Sequence, residues 1–301
     1  MDTGTCSSLP ASTPVITMTN ASGVGYGSVF EKDPNNLVTW FNELAYLCEW
    51  TGVVDTNWTT AGNWTNCSNG RSGYPDQFDS AYVPSGTPNS PFISENIVIQ
   101  KINTPGGAGG GKITINANSR LWLAGKEILS DVIITGAPDN CTTCGIGSES
   151  TSILNNAKLT LERGLILHSN SNTPVFNVGN GVSNGHLEIN PNSLDQSHWP
   201  QIKPNSYYNG GFVIEGVDAA TRSSISINGL HSANHYSSSV VRFKNFYEVL
   251  GLDNMIMTTA FGWVMNGDMF SFDNCANGIF TDLNWDNLDF VGAAADPVGT
   301  N

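Results

Sequence analysis

Positive charge is scarce in this chain. Only 12 Lys and Arg residues stand against 26 Asp and Glu among 301, a formal net charge of −14. Neutralising a phosphate backbone needs clustered cations, so no nucleic-acid partner is expected. Charged residues of both signs amount to 13%, about half the usual share, and the Glu, Lys, Ala and Leu that coat helix surfaces are thin. No apolar run reaches the ~18 residues of a membrane span, so none is expected. Met1-Asp2-Thr3-Gly4 lacks the basic and apolar regions of a secretory signal, which points either to a segment cut from a larger exported precursor or to a virion protein assembled inside a cell. Nucleophile and phosphate-loop signatures are missing too. There is no Gly-x-Ser-x-Gly elbow, and the glycine run Gly106 to Gly111 follows Pro105, precedes a strand and has no Lys-Ser/Thr, so it reads as a turn.

What is abundant is turn and strand vocabulary: 32 Gly, many Asn, Ser and Thr, and 39% hydrophobic residues, enough to bury a full core. From Ile97 onward short alternating runs recur, among them Ile113-Thr114-Ile115, Leu121-Trp122-Leu123, Leu159-Thr160-Leu161, Leu187-Glu188-Ile189, Ile225-Ser226-Ile227 and Phe270-Ser271-Phe272. Period-2 alternation with turns this close leaves a sandwich, a barrel or a β-helix. Three segments, Ile227-Asn228-Gly229-Leu230, Leu252-Asp253-Asn254-Met255 and Phe272-Asp273-Asn274-Cys275, share one hydrophobic-polar-small-hydrophobic shape at spacings of twenty-odd residues. That interval suits one coil of a parallel solenoid. The expected fold is therefore all-β, a right-handed parallel β-helix, with a β-sandwich as the alternative. Residues 1–48 are expected to be an N-terminal cap or the end of a preceding domain, 49–100 a Trp-rich opening module, and 101–301 the coils. Leu37 to Leu47 reads as either a short helix or a strand pair.

The opening module contains Trp50-Thr51-Gly52, Asn57-Trp58, Asn63-Trp64, Tyr82-Val83-Pro84 and Ile97-Val98-Ile99. This order resembles a Trp-Thr-Gly, Asn-Trp, Val-Pro, Val-Thr-Ile module that opens β-helical regions in large surface proteins of Bacteroidota, many exported by the type IX route. The stretch Cys67 to Ala81 departs from that module as a long insert. The resemblance implies a cell-surface or secreted location. Physically, Trp50, Trp58 and Trp64 read as packing residues that close the first coil; the functional alternative is an exposed platform for sugar rings.

Six cysteines permit disulfides in an exported chain, and sequence leaves fifteen pairings open. Cys48 and Cys67 flank the Trp-rich segment and Cys141 and Cys144 share a loop, so both pairs read as local staples, whereas Cys275 reads as a buried thiol. Sugar-cleaving chemistry needs two nearby carboxylates. Asp253 and Asp273, at equivalent places in neighbouring repeats, are the candidates, against a structural reading as Asx turns. Asp282, Asn284 and Asp286 alternate on one strand face and offer oxygen ligands for Ca²⁺, or else a solvated edge; no other cofactor is expected. The five histidines crowd between His168 and His235, but His231 and His235 read as loop residues. Three functions follow in order: a non-enzymatic segment of a large extracellular surface protein (adhesin, stalk or fibre), a tail-spike or fibre of a virion, and a β-helical polysaccharide lyase or hydrolase. Carbohydrate or other surface proteins are the expected partners, with a homotrimer if the chain is a virion fibre.

Overall fold

The computed structural model describes residues 26–32, 38–67, 72–103, 109–137, 144–147, 151–167, 176–180, 182–191, 199–203, 212–216, 224–235, 241–244, 249–259, 270–273, 280–283 and 289–291. The chain forms two compact units, Met1–Ala45 and Tyr46–Asn301. In the first, Tyr26–Lys32 and Val38–Leu44 pair antiparallel, with Tyr26 opposite Leu44 and Lys32 opposite Val38. The ambiguous Leu37 to Leu47 stretch is thus strand over Val38–Leu44, and the boundary between units falls within it.

The second unit is a right-handed parallel β-helix. Its strands stack into three ladders. The first runs through Phe92–Ile93, Gly111–Ile115, Val132–Gly136, Ala157–Leu161 and Gly185–Ile189, then the starts of Ser224–His235 and Val249–Thr259, and Phe280–Leu283. The second takes the starts of Ile97–Ile102 and Arg120–Ile128, then Gly145–Gly147, Leu165–Leu167 and Gln201–Lys203. It goes on through the ends of Ser224–His235 and Val249–Thr259 to Asp289–Val291. The third comprises Leu47–Trp50, Ser80–Tyr82, the ends of Ile97–Ile102 and Arg120–Ile128, and Thr151–Ile153. Phe176–Val178, Phe212–Glu215, Val241–Lys244 and Phe270–Asp273 complete it. Among the described residues the one antiparallel strand pairing in this unit joins Leu47–Trp50 to Trp64–Thr65. A β-sandwich, built from antiparallel sheets, is excluded.

Alternation explains the packing. Every second side chain of a strand points inward, so Ile113, Ile134, Leu161, Ile189 and Ile227 align in register and are all buried. β-Branched and Leu side chains dominate these stacks because they fill a pleated, buried surface in few rotamers. The corners demand unusual backbone. Asn118, Asn155 and Asn156 sit at φ of 62°, 58° and 59°, the left-handed region that asparagine tolerates better than other side-chain-bearing residues. Where Ile97–Ile102 passes from the second ladder to the third, the register against the next coil slips between Ile99 and Lys101, as a bulge does at a bend.

Two of the three sequence repeats are true coil mates. Ile227 pairs with Leu252, Asn228 with Asp253 and Leu230 with Met255. The third is not: Phe272 pairs with Phe243 and Asp273 with Lys244, both on the third ladder, while the next mate of Leu252 is Leu283. The same hydrophobic-polar-small-hydrophobic pattern on two different ladders produced the false match.

Candidate functional site

The Trp-rich module forms the first layer of the core. Thr56 accepts a hydrogen bond from the Phe92 amide and the Trp58 amide donates to Phe92, so this segment lies as a rung beneath the first ladder. Trp50 and Trp58 are 0% and Trp64 6% exposed. Trp64 meets Trp58 and Trp50 edge-on, with ring centroids 4.7 and 5.0 Å apart, one of the geometries that aromatic quadrupoles favour. The Trp50 indole donates to the Asn89 carbonyl at 2.7 Å and the Trp64 indole to the Trp58 carbonyl at 2.7 Å. A sugar platform built on these three rings is ruled out by their burial. Cys48 is bonded to Cys67, pinning the same layer, as the flanking positions suggested. Cys144 is also disulfide-bonded; Cys141 and Cys275 lie outside the described residues. The Cys67 to Ala81 insert delivers Ser80–Tyr82 as the next rung of the third ladder, with the buried Asp79 carboxylate accepting the Tyr46 amide at 2.9 Å.

Sequence reading missed the residue that organises this layer. Asn63 is fully buried. Its Oδ1 accepts the amides of Val54 and Asp55 at 3.0 and 3.1 Å, and its Nδ2 donates to Asp55 Oδ1 at 2.6 Å and to the Asn57 carbonyl at 3.0 Å. That hydrogen bond from Asn63, followed by those from Asn57 and Thr60, holds the Asp55 carboxyl below its ordinary range against a smaller opposing effect of burial. The signal in the sequence is the twin Asn-Trp pair, Asn57-Trp58 and Asn63-Trp64.

The proposed acidic pair does not form. Asp253 stands in register with Asn228 on the corner of the first ladder, and Asp273 with Lys244 on the third. Asp282 lies in the strand Phe280–Leu283, whereas Asn284 and Asp286 lie outside the described residues. His231 and His235 are in the strand Ser224–His235, not a loop, and their register partners are Gln201, Ile256 and Thr259 rather than other histidines. His168 and His198 lie outside the described residues. Among the described residues no three His, Cys, Asp or Glu side chains are placed to hold a metal ion, and no helix is long and apolar enough to cross a membrane.

Instead the outer face of the first ladder carries the charged cluster. Lys158 pairs in register with His186 and Thr160 with Glu188. The Lys112 ammonium donates to both Glu162 oxygens at 2.8 and 2.7 Å, reaching across the intervening strand. Lys158 forms an ion pair with Glu188, to which the Thr160 hydroxyl also donates at 3.3 Å. Burial by itself would raise the Glu188 pKa; the hydrogen bond and charge of Lys158, with hydrogen bonds from Asn190 and Thr160, overcome it and hold the carboxyl below its usual range. An acid so held is ionised at neutral pH and is unsuited to donate a proton to a leaving group. His186 Nε2 stands 2.8 Å from Asn156 Oδ1. Partial burial, opposed by Asp131 and aided by Lys158, lowers its pKa. The motif behind this face was legible: Lys158-Leu159-Thr160-Leu161-Glu162 and His186-Leu187-Glu188-Ile189-Asn190 share one alternation, but their outward residues differ in identity.

The chain matches no family model, and neither a curated protein nor a solved structure matches it significantly.

Proposed function

We propose that this chain is a non-enzymatic segment of a large extracellular surface protein, an adhesin, stalk or fibre of the Bacteroidota kind exported by the type IX route, with carbohydrate or other surface proteins as partners. The observation that carries this reading is the ion-paired outer face of the first ladder: Glu162 and Glu188 are each committed to a lysine, and Asp253 and Asp273 stand on different ladders. A carboxylate pair for glycoside cleavage needs one member kept protonated near neutrality, and the described carboxylates on this face are committed instead to holding coils together. The Cys48–Cys67 disulfide suits an oxidising compartment.

The test is incubation with acidic and neutral polysaccharides, reading new reducing ends and unsaturated products, beside retention of the same glycans and of cell-surface proteins on the immobilised chain. Retention without turnover is expected. Turnover that disappears in Glu162→Gln or Glu188→Gln would overturn the proposal. Recovery of the protein from virions with a trimeric mass by light scattering would replace it with the tail-spike reading.

A further inference from the structure

We infer that the outer face of the second ladder, centred on Trp122, binds a neutral polysaccharide. The inference rests on the surface-protein reading above and names the ligand class and the residues that take it. Of the tryptophans whose side chains are described, Trp50, Trp58, Trp64 and Trp199 are buried, whereas Trp122 is partly exposed. Leu121 and Leu123 point into the core, so Arg120, Trp122 and Ala124 face out, and on the preceding coil Asn96, Val98 and Gln100 do the same around buried Ile97 and Ile99. Trp122 pairs in register with Val98, which is 41% exposed. On the following coil the register positions of Arg120 and Trp122 are Gly145 and Gly147, so at those two positions no side chain stands beside either.

Among the described residues the polar groups around the indole are uncommitted. The ammonium groups of Lys101, Lys112 and Lys158 are held by glutamates, yet among the described residues the side chains of Asn96, Gln100 and Arg120 have no hydrogen-bond or ionic partner. Gln100 has room because its neighbour on the next coil is Gly125: its Nε2 lies 2.8 Å from where a Cβ would stand. An indole face attracts the weakly positive C–H face of a pyranose ring. Two amides that both donate and accept, with a guanidinium fork, match ring hydroxyls. Charge selects the class: the chain's net −14 repels a polyanion, and the six outward residues include no carboxylate for a cationic ligand. Three apolar side chains, one of them only the methyl of Ala124, within a polar surround are also too little apolar surface for a standard protein interface, which buries about 800 Å² per partner.

The probes are soluble hexaoses of glucose and of mannose, with hexagalacturonate as the anionic arm, titrated onto the full chain and read by tryptophan fluorescence and calorimetry. Binding of a neutral hexaose is expected, weakened about tenfold or more in Trp122→Ala, which corresponds to about 1.4 kcal/mol, less in Trp122→Phe, and severalfold in Asn96→Ala/Gln100→Ala. Circular dichroism melting confirms that each variant folds, and the double variant changes only exposed or half-exposed side chains. Neutral binding indifferent to all these changes, hexagalacturonate bound in preference, or no hexaose bound at all would overturn the inference. The surface-protein reading fails separately, on turnover or on virion recovery.

Discussion

Replacing Asn63 with alanine tests whether the terminal layer is organised by one amide. The side chain makes four hydrogen bonds, two through Oδ1 and two through Nδ2. At about 1 kcal/mol net each, and discounting the amides of exposed Val54 and Asp55 that water can reach, the loss is about 2–3 kcal/mol. Solenoid coils open locally rather than all at once, so the loss belongs to this layer and not to the whole chain. The assay is hydrogen exchange at the Trp64 indole N–H, bonded to the Trp58 carbonyl. Exchange is expected to quicken roughly 30- to 140-fold, since 1.4 kcal/mol is a factor of ten. Amides of the Ala157–Leu161 strand should exchange as before. The Asp55 titration, followed by NMR, should rise toward the ordinary carboxylate value, because its first cause of depression is the Asn63 amide. Acceleration of less than about threefold, or an unmoved Asp55, would refute the assignment. Asn63→Asp should be worse than alanine at neutral pH, because it sets a second carboxylate against Asp55 Oδ1, 2.6 Å from the present nitrogen.

Opening the Cys48–Cys67 bond, which spans a separation of 19 residues, should cost the terminal layer about 3 kcal/mol by the loop-entropy relation; a Cys48→Ala/Cys67→Ala variant whose near-ultraviolet tryptophan signal melts at the parental temperature would contradict this. Gly185→Ala should destabilise by about 1–3 kcal/mol or more, because its Cβ would collide with the Ile153 carbonyl oxygen and approach the Gly179 amide nitrogen at 2.8 Å; urea unfolding followed at the middle coils reads it. For pH, the folded-state pKa values of His186 and Glu188 are both lowered, so the unfolded chain binds more protons and stability rises with pH. The contribution of His186 is complete above its ordinary value of 6.5 and that of Glu188 above 4.5, and each is lost as pH falls through the depressed folded value. Thermal melts of His186→Gln should therefore lose the upper part of the acid slope and keep the lower; an unchanged profile would count against the assignment.

Architecture was readable because inward alternation depends on residue class alone: Ile113-Thr114-Ile115 and Leu159-Thr160-Leu161 announce their inward sides without reference to any partner. Burial of the module tryptophans was readable for the same reason. Coil register was not, since the stretches between strands differ in length from coil to coil, and a hydrophobic-Asp-Asn pattern recurs on two different ladders, as Leu252-Asp253 and Phe272-Asp273 demonstrate. Outward chemistry was harder still. Whether Glu188 is a free acid or a lysine's partner depends on which residue sits one coil away, and Lys158 is brought there by register and not by proximity in sequence. Alternation in the sequence gives the side on which Trp122 lies, but not the glycines placed beside it by the next coil.

The direction of the hydrogen bonds in the three ladders has a mechanical consequence. In a parallel coil the N–H and C=O groups point from rung to rung across the strands, so in the solenoid they lie along the line of stacking. Tension applied along that line loads each rung's bonds head-on and together, in three columns at once, and a segment of this kind is stiff under pull in a way that a string of sandwich domains on linkers is not. Its weak links are where a column breaks step. The register shifts at Ile99/Lys101 and at Ser232/His235 mark where fewer bonds share the load, and a rupture under force should begin there.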